Sequence, residues 1–338
     1  AKRLREALRL PLILFSQSFW ANRGLQTKMG LLVATGLIAL VGIFGLLGLA
    51  AARETTDRAL QERVLLAQLT ARHVDYVLGN VQGLLQSTAG QPAIALANPD
   101  PSARRDALRD AFGKSGQTLR HILLTDANGR VVAAEPPLPA DLSLSQAVSP
   151  VLQGASFSTA SVDLFLLGPT VIVAVPVRDP AGQLTGVLAA CLNLTWPEMQ
   201  EFLQSVTLGQ TGYLEIVDSG GLILLSTQSD RLLTKADHGD SLVAMIRAGQ
   251  GKVATCHRCH ESTQGTEKWP EVMAFAPLKR APWGVVVRQA EEEAFASSTQ
   301  LQGRVVLLGV IAVIGAMVLV WLTTRSVIAP VQDLTAAA

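Results

Sequence analysis

The chain has 338 residues, with 28 Lys and Arg against 27 Asp and Glu and a formal charge of +1. That balance leaves no electrostatic footprint for nucleic acid and argues against it as a partner. The mean hydropathy of +0.33 has two sources, a pair of uncharged apolar runs and a soluble core rich in Val, Leu and Ala.

Residues 1–28 form a basic arm, with Lys2, Arg3, Arg5, Arg9, Arg23 and Lys28 against the single acid Glu6. By the positive-inside rule this arm is cytoplasmic. Residues 29–52 then run 24 positions without a charge, enough to cross a hydrocarbon core of about 30 Å as a helix. A cleavable signal peptide is the alternative. The long arm and an apolar run longer than a signal h-region favour an uncleaved anchor.

Residues 53–115 are predicted to be a stalk and a packing helix. Leu60, Val64, Ala67, Ala71, Val74, Leu78, Val81 and Leu85 recur at three- and four-residue steps, and Gly90-Gln91-Pro92 ends the pattern. This stripe offers a face to a second copy, so a homodimer is expected. His73, beside the stripe, reads as an interfacial residue rather than a ligand. In the shorter helix Asp100 serves as N-cap and Pro101 as N1, with Ala107, Leu108 and Phe112 on one face.

An internal repeat sets the architecture beyond residue 116. His121-Ile-Leu-Leu-Thr-Asp126-Ala-Asn-Gly129-Arg-Val-Val is a strand, a tight Asp-x-x-Gly turn and a second strand. Ninety-two residues later comes Tyr213-Leu-Glu-Ile-Val-Asp218-Ser-Gly-Gly221-Leu-Ile-Leu. Each copy continues through a helical segment into further strands. The fold class is therefore α+β, with two tandem PAS-like units over residues 116–205 and 206–296. Each is a five-stranded antiparallel sheet with helices. Pro197 starts a connecting helix through Met199 and Phe202. Cys191, in an apolar run, is a small core residue.

The second unit carries Cys256-His257-Arg258-Cys259-His260, the C-x-x-C-H attachment pattern of a c-type haem. Two thiols three positions apart each add to a porphyrin vinyl group, and His260 is placed as the proximal axial ligand of the iron. A disulfide between Cys256 and Cys259 is the plain alternative. Half of a zinc site is another, but no second Cys/His pair follows at zinc-finger spacing. The motif opens the connection between a third strand at 252–255 and a fourth at 271–278. The helical segment 232–248 faces it and offers His238 and Met245 as sixth ligands, with a surface turn and core filling as their ordinary roles. Met273 has an even chance of facing the core, and His257 is badly placed for the distal side.

Residues 305–322 run 18 positions without a charge and form a second span within 304–323, followed by Arg325. Both termini are then cytoplasmic, and about 250 residues lie outside a bacterial inner membrane. That compartment suits the haem-maturation machinery on which C-x-x-C-H attachment depends, and it would otherwise oxidise exposed thiols.

At this point the chain resembles the double Cache sensor modules of bacterial receptors. The stretch Gly209-Gln-Thr-Gly-Tyr213 through Asp218-x-x-Gly221, then Ala276-Pro277-Leu278 and Trp283-Gly284-Val-Val, is similar to their membrane-proximal unit. Thr324-Arg325-Ser-Val-Ile-Ala329-Pro330-Val-Gln-Asp-Leu334, within 324–338, looks like the opening of a HAMP linker. The resemblance implies a sensory input module. Amino-acid-binding relatives carry a Tyr/Arg/Trp/Asp pocket in the distal unit, yet residues 117–195 here hold neither Tyr nor Trp.

The function expected is that of a transmembrane receptor whose covalent haem c senses redox state or a diatomic gas. It signals through the second span and the linker to a cytoplasmic partner, a histidine kinase first among the candidates. A membrane-anchored electron-transfer cytochrome is one alternative, and a Cache receptor for an organic ligand without haem is another. No catalytic motif is present before Ala338, and the natural chain is expected to continue.

Overall fold

A computed structural model describes residues 25–97, 100–138, 144–164, 168–193, 199, 201–203, 206, 208–256 and 270–323. The basic arm before residue 25, Cys259 with His260, and the linker after residue 323 lie outside the described residues.

Helix α1 (Leu25–Ala89) joins the first apolar run to the stalk without a break. No Pro interrupts its 65 residues, and it ends where Gly90 and Pro92 remove side-chain support and a backbone donor. Helix α2 (Pro101–Lys114) starts as its sequence predicts, with the Asp100 carboxylate accepting from Ser102 N at 2.8 Å. The helix spanning Thr35–Ala89 contains an 18-residue window of mean hydropathy 2.2 and is the one helix among the described residues long and apolar enough to cross a membrane. The apolar part of the last helix, Gln302–Val318, is shorter.

The chain divides into two compact units, Ala59–Ala294 and a second made of Ala1–Arg58 with Phe295–Ala338. The first contains two antiparallel sheets of identical topology. In one, β1 (Leu119–Asp126), β2 (Val131–Glu135), β3 (Ser158–Leu164), β4 (Gly168–Arg178) and β5 (Leu184–Leu192) lie in the order β2-β1-β5-β4-β3. In the other, β6 (Tyr213–Val217), β7 (Ile223–Ser226), β8 (Lys252–Cys256), β9 (Glu271–Pro277) and β10 (Gly284–Ala290) lie in the order β7-β6-β10-β9-β8.

The repeat is atomic in detail. Asp126 Oδ1 accepts from Asn128 N and Arg130 N, both at 2.9 Å, and Asp218 Oδ1 accepts from Gly220 N at 2.8 Å and Leu222 N at 2.9 Å. Gly129 and Gly221 share a φ of +79°. Each turn rests on the start of the helix that follows, α3 (Ser145–Leu152) in one unit and α4 (Gly239–Ala248) in the other. A Cβ on Gly129 would come within 2.6 Å of the Ser145 Cα, and one on Gly221 within 3.3 Å of the Gly239 Cα.

Sheet periodicity divides the core into three. Alternate residues of both sheets face α1, where Ala67, Ala71, Val74, Leu78, Val81 and Leu85 are all buried. The stalk stripe is thus covered by the chain's own sheets, which corrects its expected role as a face for a second copy. Two sheets each present one apolar face, and a helix that covers both removes more surface from water than one left for a partner. The stalk's exposed side carries Leu65, Leu69 and Tyr76 instead. The opposite sheet faces are covered by α3 and by α4. A short helix, α5 (Glu291–Ala294), leads from β10 into α6 (Ala296–Thr323).

Candidate functional site

Beneath α3 the sheet is sealed by aliphatic side chains. Leu123, Ile172, Val187, Ala189 and Cys191 lie under Val148 and Val151, all fully buried. Burial pushes the Cys191 thiol up to about 12, as suits an inert core residue.

Beneath α4 the arrangement differs. Strand β6 brings Tyr213 and Glu215, the 3₁₀ turn Ser229–Arg231 brings Arg231, the loop before α4 brings Asp237, β10 brings Arg288 and β9 brings Glu271. Arg231 Nε donates to Glu215 Oε1 and its Nη2 donates to Asp237 Oδ2, both at 2.6 Å. Its guanidinium also lies 5.4 Å from the Tyr213 ring centroid. Arg288 Nη2 donates to the Asp237 carbonyl at 2.8 Å, and its Nη1 lies 3.7 Å from Glu271 Oε2. Glu215 is wholly buried and Arg288 is 1% exposed.

The electrostatics follow from burial in this setting. Burial pushes the Glu271 carboxyl above the ordinary range, against the opposing pull of Arg288. Burial also raises Tyr213. At Arg231 burial works downward, and the hydrogen bond and charge of Glu215, with Asp237, carry its pKa above the usual value. Three carboxylates meet two guanidinium groups, and Glu215 Oε2 is buried without a hydrogen-bond partner among the described residues. Among the described residues the carboxylates of this network thus outnumber its guanidinium groups, in a setting where charge is costly.

Cys256 ends edge strand β8, and its Cα partner across the ladder is Glu271, the first residue of β9 and the outermost member of this network. Cys259 and His260 lie outside the described residues. The helix expected over 232–248 is shorter, because Leu233 and His238 adopt left-handed φ values of 63° and 57° and helical geometry begins only at Gly239. His238 is the exposed N-cap residue of α4, and Met245 is half-buried against the core beneath that helix. Met273 is 6% exposed in the same core. His73 stacks on Phe202 with ring centroids 4.3 Å apart, an interfacial role, and burial lowers its pKa. Among the described residues no group of three His, Cys, Asp or Glu side chains could hold a bare metal ion.

The charge network escaped the sequence reading. Its signal was there: Glu215 and Arg288 interrupt otherwise apolar strands at inward positions, Tyr213-Leu-Glu-Ile-Val and Val285-Val-Val-Arg288. A charge in such a place needs a partner, but only the fold says which.

Two sheets of this topology in tandem behind one long helix are matched by a family model described as a Cache domain, over residues 50–298. The chain belongs to the Cache-domain family. Its tandem sheets make it a double Cache module, the extracytoplasmic sensory part of a membrane receptor.

Among solved structures, the extracellular domain of the histidine-kinase candidate rpHK1S-Z16 is similar at 15% identity and a TM-score of 0.57. That match covers 70% of this chain and 96% of that one. The periplasmic sensory domain of the Campylobacter jejuni chemoreceptor Tlp1 matches at 14% identity and a TM-score of 0.54, covering 71% and 98%. The ligand-binding domain of the Pseudomonas fluorescens chemoreceptor CtaA, in complex with L-isoleucine, matches at 18% identity and a TM-score of 0.51, covering 73% and 98%. At these identities the likeness is one of fold. No curated protein matches the sequence.

Proposed function

We propose that this Cache module senses through a c-type haem attached at Cys256 and Cys259, with His260 as proximal ligand and redox state or a diatomic gas as its signal. The observation that carries the reading is the position of Cys256. It ends edge strand β8 and lies opposite Glu271 at the rim of a buried charge network. Such buried charges are among a protein's means of tuning a haem. Met245 on α4 and the exposed His238 stay the candidates for the sixth position. When bound, the haem supplies a centre that changes charge or takes a gas ligand. The chain's own part is to tether it, to orient it through His260, and to surround it with fixed charges.

An amino-acid ligand in the distal unit is not favoured, because residues 117–195 hold neither Tyr nor Trp and the buried side chains described beneath α3 are apolar. The signal travels through residues 305–322 as a second span, with both termini cytoplasmic. It continues through a HAMP-like linker to a cytoplasmic output, a histidine kinase being the first candidate, and the receptor works as a homodimer. An anchored electron-transfer cytochrome needs neither tandem sensory units nor such a linker.

The test is covalent haem. Membranes carrying the full chain, co-expressed with haem-maturation machinery, should give a pyridine haemochrome spectrum that survives acid-acetone extraction, and the double variant Cys256→Ala/Cys259→Ala should not. Covalent haem in the double variant would overturn the assignment.

A further inference from the structure

The turn at 209–212 is built to receive a carboxylate. Gln210 N and Thr211 N point the same way and donate to the two oxygens of Glu293 at 2.6 and 2.9 Å, and the Thr211 hydroxyl adds a short third bond. Successive backbone N–H groups turned to one side make an anion-binding concavity. Glycine is required here: Gly209 has a φ of +73°, and a Cβ on it would fall 2.1 Å from Glu293 Oε1. Those hydrogen bonds hold the Glu293 carboxyl down at about 2.

Around this contact two other elements converge. Ala290 N, the last of β10, donates to the Thr211 hydroxyl at 3.2 Å. Gln289, 5% exposed, hydrogen-bonds Glu293, and the Gln289 side-chain Oε1 accepts from Arg63 Nε of the stalk at 3.0 Å. One carboxylate on a four-residue helix thus ties the entry of the second sheet, the end of its central strand and the stalk to the segment that leads into α6.

We propose that the 209–212 turn is a carboxylate nest with Glu293 as its intramolecular ligand, and that this latch couples the second sheet to the start of α6. With the latch closed, a shift of β10 is carried into 291–294 rather than absorbed by a loose joint. The proposal concerns the mechanics of the module and does not depend on what the module senses.

Hydrogen exchange of the full chain in lipid nanodiscs tests it, comparing wild type, Glu293→Gln and Thr211→Val. Glu293→Gln should speed exchange at 210–212 and at 291–299 together, by tenfold or more, while the paired amides of β6 and β9 keep their protection. Thr211→Val, which keeps both backbone donors, should give a smaller change over the same two segments. Faster exchange at 210–212 alone would show a local turn fastener without coupling, and unchanged exchange in Glu293→Gln would show no latch. Either result overturns the proposal.

Discussion

Arg288 and Gln289, consecutive on β10, hold opposite faces of the same sheet. Arg288 reaches the Asp237 carbonyl and Glu271 on the side of α4, and Gln289 reaches Arg63 of the stalk and Glu293. Strand alternation puts the buried charge network and the exit of the unit one residue apart. A rearrangement at the end of β8 has a short route, through Glu271 and Arg288, to the strand that leads out.

That route makes a prediction for the proposed haem. His260→Ala removes the proximal ligand and keeps both thioethers, so haem content should persist. The redox- or gas-dependent change in the output of the full-length receptor should vanish. Equal stimulation of wild type and variant would show that the haem is not the input.

Within the charge network, removing a cation should cost more than neutralising an acid. Arg288→Met removes the guanidinium that faces Glu271 and the Asp237 carbonyl and should destabilise the module by about 3–5 kcal/mol. Glu215→Gln keeps a hydrogen-bonding group for Arg231 and removes a buried charge whose Oε2 has no hydrogen-bond partner among the described residues, so its cost should be about 1–2 kcal/mol. Denaturant midpoints of the two variants give the comparison, and a larger loss in Glu215→Gln would contradict the charge balance.

The stalk stripe can be weighed in the same way. Leu78 and Leu85 are at most 1% exposed, and truncating either to Ala should cost about 2–5 kcal/mol. Leu65 and Leu69, 54% and 49% exposed, should be near neutral for folding of the chain on its own, within about 0.5 kcal/mol. Chemical unfolding under conditions that keep the protein monomeric separates the two sets.

Two glycines with left-handed φ should behave differently. Gly116→Ala meets open space and should pay only for its backbone conformation, about 1–2 kcal/mol. Gly129→Ala adds a collision with the Ser145 backbone, and its loss should be clearly larger, because the turn must lift off α3. Equal melting temperatures for the two variants would argue against the docking of turn on helix.

The acid limb of stability has a defined contributor. The Glu293 carboxyl falls from the ordinary 4.5 to about 2 on folding, so its contribution is fully present above pH 4.5 and is lost as pH drops toward 2. Glu271 is raised instead and acts with the opposite sign, gaining as it takes up a proton. Thermal unfolding between pH 5 and 2.5, converted to free energy, should show a shallower decline in Glu293→Gln than in wild type. An identical pH slope would mean that the carboxylate is not held.

The sequence by itself determined what depends on local order. The 3.6-residue step gave the stalk, Asp100-Pro101 gave the start of α2, and the spaced Asp-x-x-Gly turns gave two copies of one unit, because each of these is settled within a few residues of chain. The pattern Cys256-x-x-Cys259-His260 is equally local, and the haem proposed from it rests on that spacing rather than on the fold. Periodicity shows that a face is apolar but not what covers it, so only the tertiary structure decided that the stalk stripe is used up by the two sheets. The buried network was invisible for a similar reason. Glu215, Arg231, Asp237, Glu271 and Arg288 are scattered over some seventy residues, and their charges become affordable only where antiparallel pairing brings them within hydrogen-bonding reach of one another. Glu293 and the 209–212 turn, more than eighty residues apart, meet because β10 lies beside β6 in the sheet.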